Sequence, residues 1–346
     1  MTETSLHHEP VPLPGRSAGQ MVRGVAGYAM LMALMFITPL FVFVPAALFH
    51  CGIRNGKRVA WSALVLGAAL AGLLAIQTAH VPGTTAADAL MGYSYLIALV
   101  LGIAVPAMIV LPLVARGEAF GRVLMISVVL SMAGLAATEL TMRATTGFSP
   151  YAEQQVKARQ TSAQFITVYE KAGMPSDAIQ VLKRWTDVGA SCLPAFFLID
   201  VIVVFVLSLV MFGRLRAWRQ FVTTREAAPP AGIYLFRNLS LPEWLLFAFV
   251  VGGLAPLASG LLQKVAANVL AVVTFLYLLQ GLAIFRSLLA AVGAGFAGVM
   301  FGYLLLAFLT ITGIAPLLLS VAGLFDSFFD FRHFKRKDHP DESHPD

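Results

Sequence analysis

The sequence predicts an all-α fold: a polytopic transmembrane helical bundle of about eight to ten membrane helices, with a small extracytoplasmic helical hairpin. Three observations lead there. Of the 346 residues, 58% are hydrophobic and only 12% charged, against the roughly 25% charged residues of a soluble domain. The apolar residues gather into blocks close to the ~20 residues needed to cross a hydrocarbon core at ~1.5 Å per residue. The basic residues fall in short segments between those blocks, where they set membrane orientation; the net charge of +6 is therefore not read as a nucleic-acid surface.

Eight blocks qualify as membrane segments: 24–50, 59–77, 89–114, 123–141, 191–212, 243–262, 265–285 and 288–325. The first and last are too long for one simple crossing. The first contains Pro39 and Pro45, and the last Gly313 and Pro316. Proline removes a backbone donor and clashes with the preceding turn, so both blocks are expected to break, the first into a crossing helix and a short return helix near 39–50. Between the fourth and fifth blocks, Pro150 to Ala172 reads as an amphipathic helix, with Val156, Phe165, Ile166 and Tyr169 among Glu153, Lys157, Arg159 and Glu170. Gly173 stops it, and Ser176 or Asp177 caps a second helix through Trp185. This hairpin occupies 142–190. A basic linker, 213–242, follows the fifth block and contains Pro229 and Pro230. The domain reading is a disordered N-terminal tail over 1–21, one transmembrane domain over 22–334 and a disordered polar tail over 335–346. The first tail lacks the layout of a cleaved signal peptide.

With the loop 51–58 cytoplasmic, 17 of the 24 basic residues fall inside, among them Arg54, Lys57, Arg58, Arg116, Arg122 and Arg214. The expectation is a multi-pass protein of the cell inner (plasma) membrane with both termini cytoplasmic.

Enzyme chemistry is not expected. The run Gly52-Ile-Arg-Asn-Gly56-Lys57-Arg58 is one residue short of a phosphate loop between its glycines and lacks the Ser or Thr after lysine. There is no GxSxG, HExxH or paired-acid motif, and Cys51 and Cys192 form no CxxC pair. His333, His339 and His344 stand in a polar tail without companion ligands, so neither a metal nor a cofactor is expected. Intramembrane polar residues carry more information. Asp200 lies near the middle of the fifth block, where a charge costs ~2.5–3.5 kcal/mol on the insertion scale. It is expected to face the bundle interior, a cavity or a partner protein, either as a ligand or ion contact or as a hydrogen-bonding tie to a neighbouring helix. Asn268, Tyr277 and Gln280 break the apolar seventh block, either lining a cavity or bonding between helices. Glu139 and Arg143 are spaced i,i+4 as a surface pair. Ala29 and Ala33 form a small-xxx-small pair that lets helices approach closely.

Five runs in order resemble the YybS-like family of predicted bacterial membrane proteins, from about residue 22 to 334. They are Val44-Pro45-Ala46-Ala47-Leu48-Phe49-His50-Cys51-Gly52 leading to Asn55-Gly56-Lys57; Val168 to Pro175; Phe236 to Trp244; Leu276 to Ala283; and Gly323-Leu324-Phe325-Asp326 with Asp330-Phe331-Arg332. That family is distantly similar to the substrate-binding S components of energy-coupling-factor vitamin transporters. The resemblance implies a vitamin-like small molecule bound near the outer face; Asp200, Tyr277, Gln280 and Asn268, the polar residues of the apolar helices, are the candidate contacts. It also implies docking of a transmembrane coupling subunit on Ala29 and Ala33, with ATP hydrolysis supplied by partner chains. The competing expectation is a non-transporting membrane scaffold or partner protein; a lipid-directed enzyme ranks third, since no acid–base pair is visible.

Overall fold

The computed structural model describes residues 18–79, 85–223, 232–254, 257 and 259–329, and all the regular structure in them is helical. The N-terminal tail to residue 17, the linker centre with Arg225, Pro229 and Pro230, and the C-terminal stretch from Asp330, with His333, His339, His344, Arg332, Lys335, Arg336 and Lys337, lie outside the described residues.

The first block breaks. Helix α1 (Ala18–Ile37) ends before Thr38, a 3₁₀ turn covers Pro39–Phe43, and α2 (Val44–Asn55) follows. Thr38 holds the break: its Oγ1 donates to the Leu34 carbonyl at 2.8 Å and accepts from the Leu40 N–H at 3.3 Å. The chain then returns, because the Tyr28 hydroxyl on α1 meets Nδ1 of His50 on α2 at 2.8 Å. The pair is therefore a helical hairpin whose tip is the 3₁₀ turn.

Gly56, at φ 91°, makes the tight turn into α3 (Lys57–Ala79). Next come α4 (Ala86–Leu99), a π-helical turn at Val100–Ala104 and α5 (Val105–Arg116), one continuous span. Pro106 has no N–H to give the carbonyl four residues back and crowds it, and the widened π turn relieves both problems. Helix α6 (Phe120–Thr146) passes behind that turn, where Gly134 leaves no room for a Cβ against the Leu101 carbonyl.

The expected hairpin follows as α7 (Pro150–Lys171) and α8 (Ser176–Ser191). Ser149 caps α7 by accepting from the Ala152 N–H at 3.1 Å. Gly173, at φ 80°, ends it, with the Met174 N–H reaching back to the Tyr169 carbonyl. One expectation is corrected: neither Ser176 nor Asp177 caps α8, since Pro175 holds the N-cap position without a side-chain bond and both residues stand in the first turn. Glu139 anchors the hairpin to α6, accepting from Ser149 Oγ at 2.5 Å and the Tyr151 N–H at 3.1 Å while pairing with Arg143 at 2.6 Å.

Helix α9 (Leu193–Arg214) returns to the end of the bundle that carries the α2–α3 and α5–α6 turns, and the amphipathic α10 (Arg216–Thr223) lies across that end. Trp218 faces inward, fully buried with Phe49, Phe120, Phe212 and Tyr234. Ring centroids from Phe212 and from Tyr234 to Trp218 are both 5.3 Å. The Tyr234 hydroxyl shares its one proton between the Val114 and Glu118 carbonyls, each at 3.3 Å, and burial raises its phenol far above the usual range. Much of the expected 213–242 linker is thus a packed plug.

The sixth block is not one helix. Helix α11 (Leu245–Gly253) has nine residues, and α12 (Gly260–Ala291) starts again after it. The chain still traverses the bundle: the Leu241 N–H meets Gln280, Gly252 rests on Leu270, and Asn268 reaches the start of α9. The final block splits at Gly313 (φ 76°) into α13 (Phe296–Ile311) and α14 (Ile314–Phe329), bent by 110°. Five helices are long and apolar enough to cross: α3, α4–α5, α6, α9 and α12; the bent pair makes up to six. The eight blocks resolve into fewer straight crossings because breaks at Pro39, at the end of α11 and at Gly313 divide three of them.

Candidate functional site

Asp200 sits on α9, seven residues or about 10 Å from its Leu193 end. Its side chain is exposed and has no hydrogen bond or ion pair among the described residues. Tyr95 lines an open groove of about 380 Å³ at the tip of the α1–α2 hairpin, together with Phe36, Thr38, Phe41, Gly92 and Leu96. Phe41 meets Tyr95 edge-on at 6.2 Å. Two turns further along α9 from Asp200, the Ser208 hydroxyl donates to the Val42 carbonyl at 2.9 Å and fixes the 3₁₀ turn against α9. The groove lies toward the hairpin end: Lys157 of α7 stands 3.6 Å from Asp88, two turns before Tyr95.

The other predicted ligand residues lie elsewhere. Asn268 accepts from the Ala195 N–H at 2.9 Å and donates to the Ser191 carbonyl at 3.1 Å and the Lys264 carbonyl at 2.8 Å. It closes the junction where α8 ends and α9 begins, supplying partners for orphan groups of both helices. Gln280, 2% exposed, accepts from the Leu241 N–H at 3.3 Å and donates to Asp326 at 3.0 Å. Tyr277 is buried against Phe249, and its hydroxyl has no hydrogen-bond partner among the described residues. Asp200 is therefore not joined by these three in one cavity. Asn268 and Gln280 make interhelical bonds, one of the two roles their positions allow.

Ala29 and Ala33 are 2% and 7% exposed, turned onto α3, where Gly67 lets the backbones meet; a Cβ there would run into Met32 and the Ala29 carbonyl. The small-xxx-small pair is used inside the chain. Cys51 is buried and Cys192 half-buried, both free. Among the described residues no three His, Cys, Asp or Glu side chains group to hold a metal ion.

Sequence reasoning missed Thr38 and Tyr95. Thr38 stood in plain view before Pro39, and Tyr95 was a hydroxyl-bearing residue inside an otherwise apolar block. Their meeting depends on the turn that folds α2 back along α1.

No curated protein and no solved structure matches this chain. The model of a family described as predicted membrane proteins matches residues 26–327, nearly all of the helical bundle just described. This apolar helical chain thus belongs to the DUF2232 family of predicted membrane proteins.

Proposed function

We propose that this protein is a membrane subunit that receives a small molecule in the outer half of the bundle, in the manner of an S component, with transport energy supplied by partner ATPases through a coupling subunit. The observation that carries the reading is Asp200: an exposed intramembrane carboxylate with no hydrogen bond or ion pair among the described residues. A charge at such depth is costly and is kept where it serves a pathway or a ligand. Asp200 offers an anionic acceptor. The matching ligand carries a cationic or hydrogen-bond-donating group. In this reading the end bearing Arg54, Lys57, Arg116, Arg214 and Arg219 is cytoplasmic, the α7–α8 hairpin is extracytoplasmic, and both termini are inside the inner membrane's cytoplasmic face. The chain itself performs no covalent chemistry. The covering of Ala29 and Ala33 by α3 means that coupling-subunit docking uses a different surface.

A second reading, a non-transporting membrane scaffold, draws on the same exposure of Asp200, whose partner would then be a polar side chain on another protein's helix. One experiment separates them. Wild type, Asp200→Asn and Asp200→Leu are purified from native membranes in mild detergent, and bound small molecules and co-purifying polypeptides are identified. The expected result is a small molecule on the wild type that both variants lose at unchanged expression. Loss of a polypeptide instead establishes the scaffold reading. Identical profiles for all three proteins refute both.

A further inference from the structure

A second groove, at the opposite end of the bundle from Asp200, has an apolar stripe with one cation at its mouth. It encloses about 570 Å³ between α6 and the segment leading into α11, a volume within the ~300–1,000 Å³ of small-molecule sites. Met125, Ile126, Val129 and Leu130 form its floor at helical spacing, with Arg122 one turn before them; Ser240, Leu241, Pro242 and Trp244 make the facing wall. The stripe from Arg122 to Leu130 runs about 12 Å down the helix, most of the ~15 Å depth of one leaflet's hydrocarbon.

The walls are fixed. Gly121 allows no Cβ against the Ser240 carbonyl, and the Leu241 N–H is held by Gln280. Segment 240–244 therefore stands at a set spacing from α6. The groove opens sideways onto the outer face of α6, where Val129 and Met132 are each 52% exposed. Trp244, also 52% exposed, stands at the polar mouth, the level at which indole rings settle at a membrane interface. Arg122 is paired with Glu118 at 3.1 Å through one guanidinium nitrogen. An exposed i,i+4 pair is worth at most about 1 kcal/mol, and the remaining N–H donors of the guanidinium stay open to an anion.

We infer that this groove binds an anionic phospholipid of the surrounding bilayer, its phosphate on Arg122 and one acyl chain along Met125, Ile126, Val129 and Leu130. A zwitterionic lipid gains the same apolar contact but less from the arginine.

The test is native mass spectrometry of the full chain in a non-ionic detergent, titrated with phosphatidylglycerol or phosphatidylcholine of matched chains. Wild type is expected to prefer phosphatidylglycerol by about fivefold, the effect of one basic residue at a lipid surface. Arg122→Gln, at an exposed position, brings the two lipids level. Val129→Trp, which fills the groove from its open side, lowers retention of both. Arg219→Gln, an exposed cation at the same end but outside the groove, leaves the preference intact. Equal retention by the wild type overturns the proposal, as does a preference that survives Arg122→Gln, retention that Val129→Trp leaves unchanged, or a preference lost with Arg219→Gln.

Discussion

Replacing Gly281 by alanine tests what holds the end of the bundle together. Helices α12 and α14 meet through two glycines: a Cβ on Gly281 would overlap the Leu319 carbonyl, and one on Gly323 would overlap the Tyr277 carbonyl. Neither obstacle is a flexible side-chain tip, so the helices must part. Parting them strains the Gln280–Asp326 bond at 3.0 Å and the Ser320 hydroxyl's contact with the Thr274 carbonyl at 3.4 Å. Overpacking of this kind costs ~1–3 kcal/mol, and each interhelical hydrogen bond weakened adds about 0.6 kcal/mol. Alanine's better helix propensity returns up to ~1 kcal/mol. Gly27→Ala supplies the reference, since Gly27 is exposed on α1 with nothing within 4 Å of its would-be Cβ. That variant should gain the propensity term alone, leaving Gly281→Ala about 2–4 kcal/mol below it. Unfolding in mixed micelles with increasing SDS, followed by far-UV circular dichroism, measures the difference. The double variant Gly281→Ala/Gly323→Ala should lose less than the sum of its singles, because the first substitution already separates the helices. Equal stability of Gly281→Ala and Gly27→Ala would refute the close-contact argument.

Other consequences are open to measurement. Asn268→Leu removes the partners of the Ala195 N–H and Ser191 carbonyl; a loss of about 1–3 kcal/mol is expected, with faster amide exchange confined to the α8–α9 junction. Glu139→Gln weakens the hold on Ser149 and Arg143, so proteolytic cleavage near Gly147 should speed up while the bundle stays folded. Tyr234 has its phenol raised by burial. The unfolded chain gives up that proton first, so wild-type stability should fall as pH climbs past ~10, the ordinary tyrosine value, and Tyr234→Phe should flatten the slope. For orientation, an impermeant maleimide on intact cells should label Lys183→Cys and spare Arg219→Cys in a background without Cys51 and Cys192; the reverse pattern inverts the topology.

The parts of this fold legible in the sequence are those governed by local chemistry. Apolar length located the helices, Pro39 and Gly313 located two breaks, and Gly173 ended α7 where its left-handed φ was needed. Tertiary choices were hidden. Nothing local distinguishes an Ala29–Ala33 pair that docks a partner from one that accepts Gly67 of the same chain. Likewise, block 243–262 has the composition of a span, yet its helix stops at Gly253 because hydropathy counts side chains and says nothing of where the backbone is supported.

The polar residues of the buried helices show why site assignment was harder still. Asn268 and Gln280 looked equivalent to Asp200 as interruptions of apolar helices. Each amide, however, faces a place where another segment's backbone is left without a helical partner: Asn268 the α8–α9 junction, and Gln280 the N–H of Leu241 just ahead of Pro242. In hydrocarbon such groups cost several kcal/mol if left bare, so these side chains repair discontinuities that are themselves remote in sequence. The same accounting isolates Asp200. Its helix continues unbroken through that residue, and among the described residues no backbone group or side chain takes a hydrogen bond from it or gives one to it. A carboxylate that repairs nothing in its own chain still carries the full cost of its position, and the return for that cost must come from outside the chain. That asymmetry, rather than polarity alone, is what sets Asp200 apart from Asn268 and Gln280.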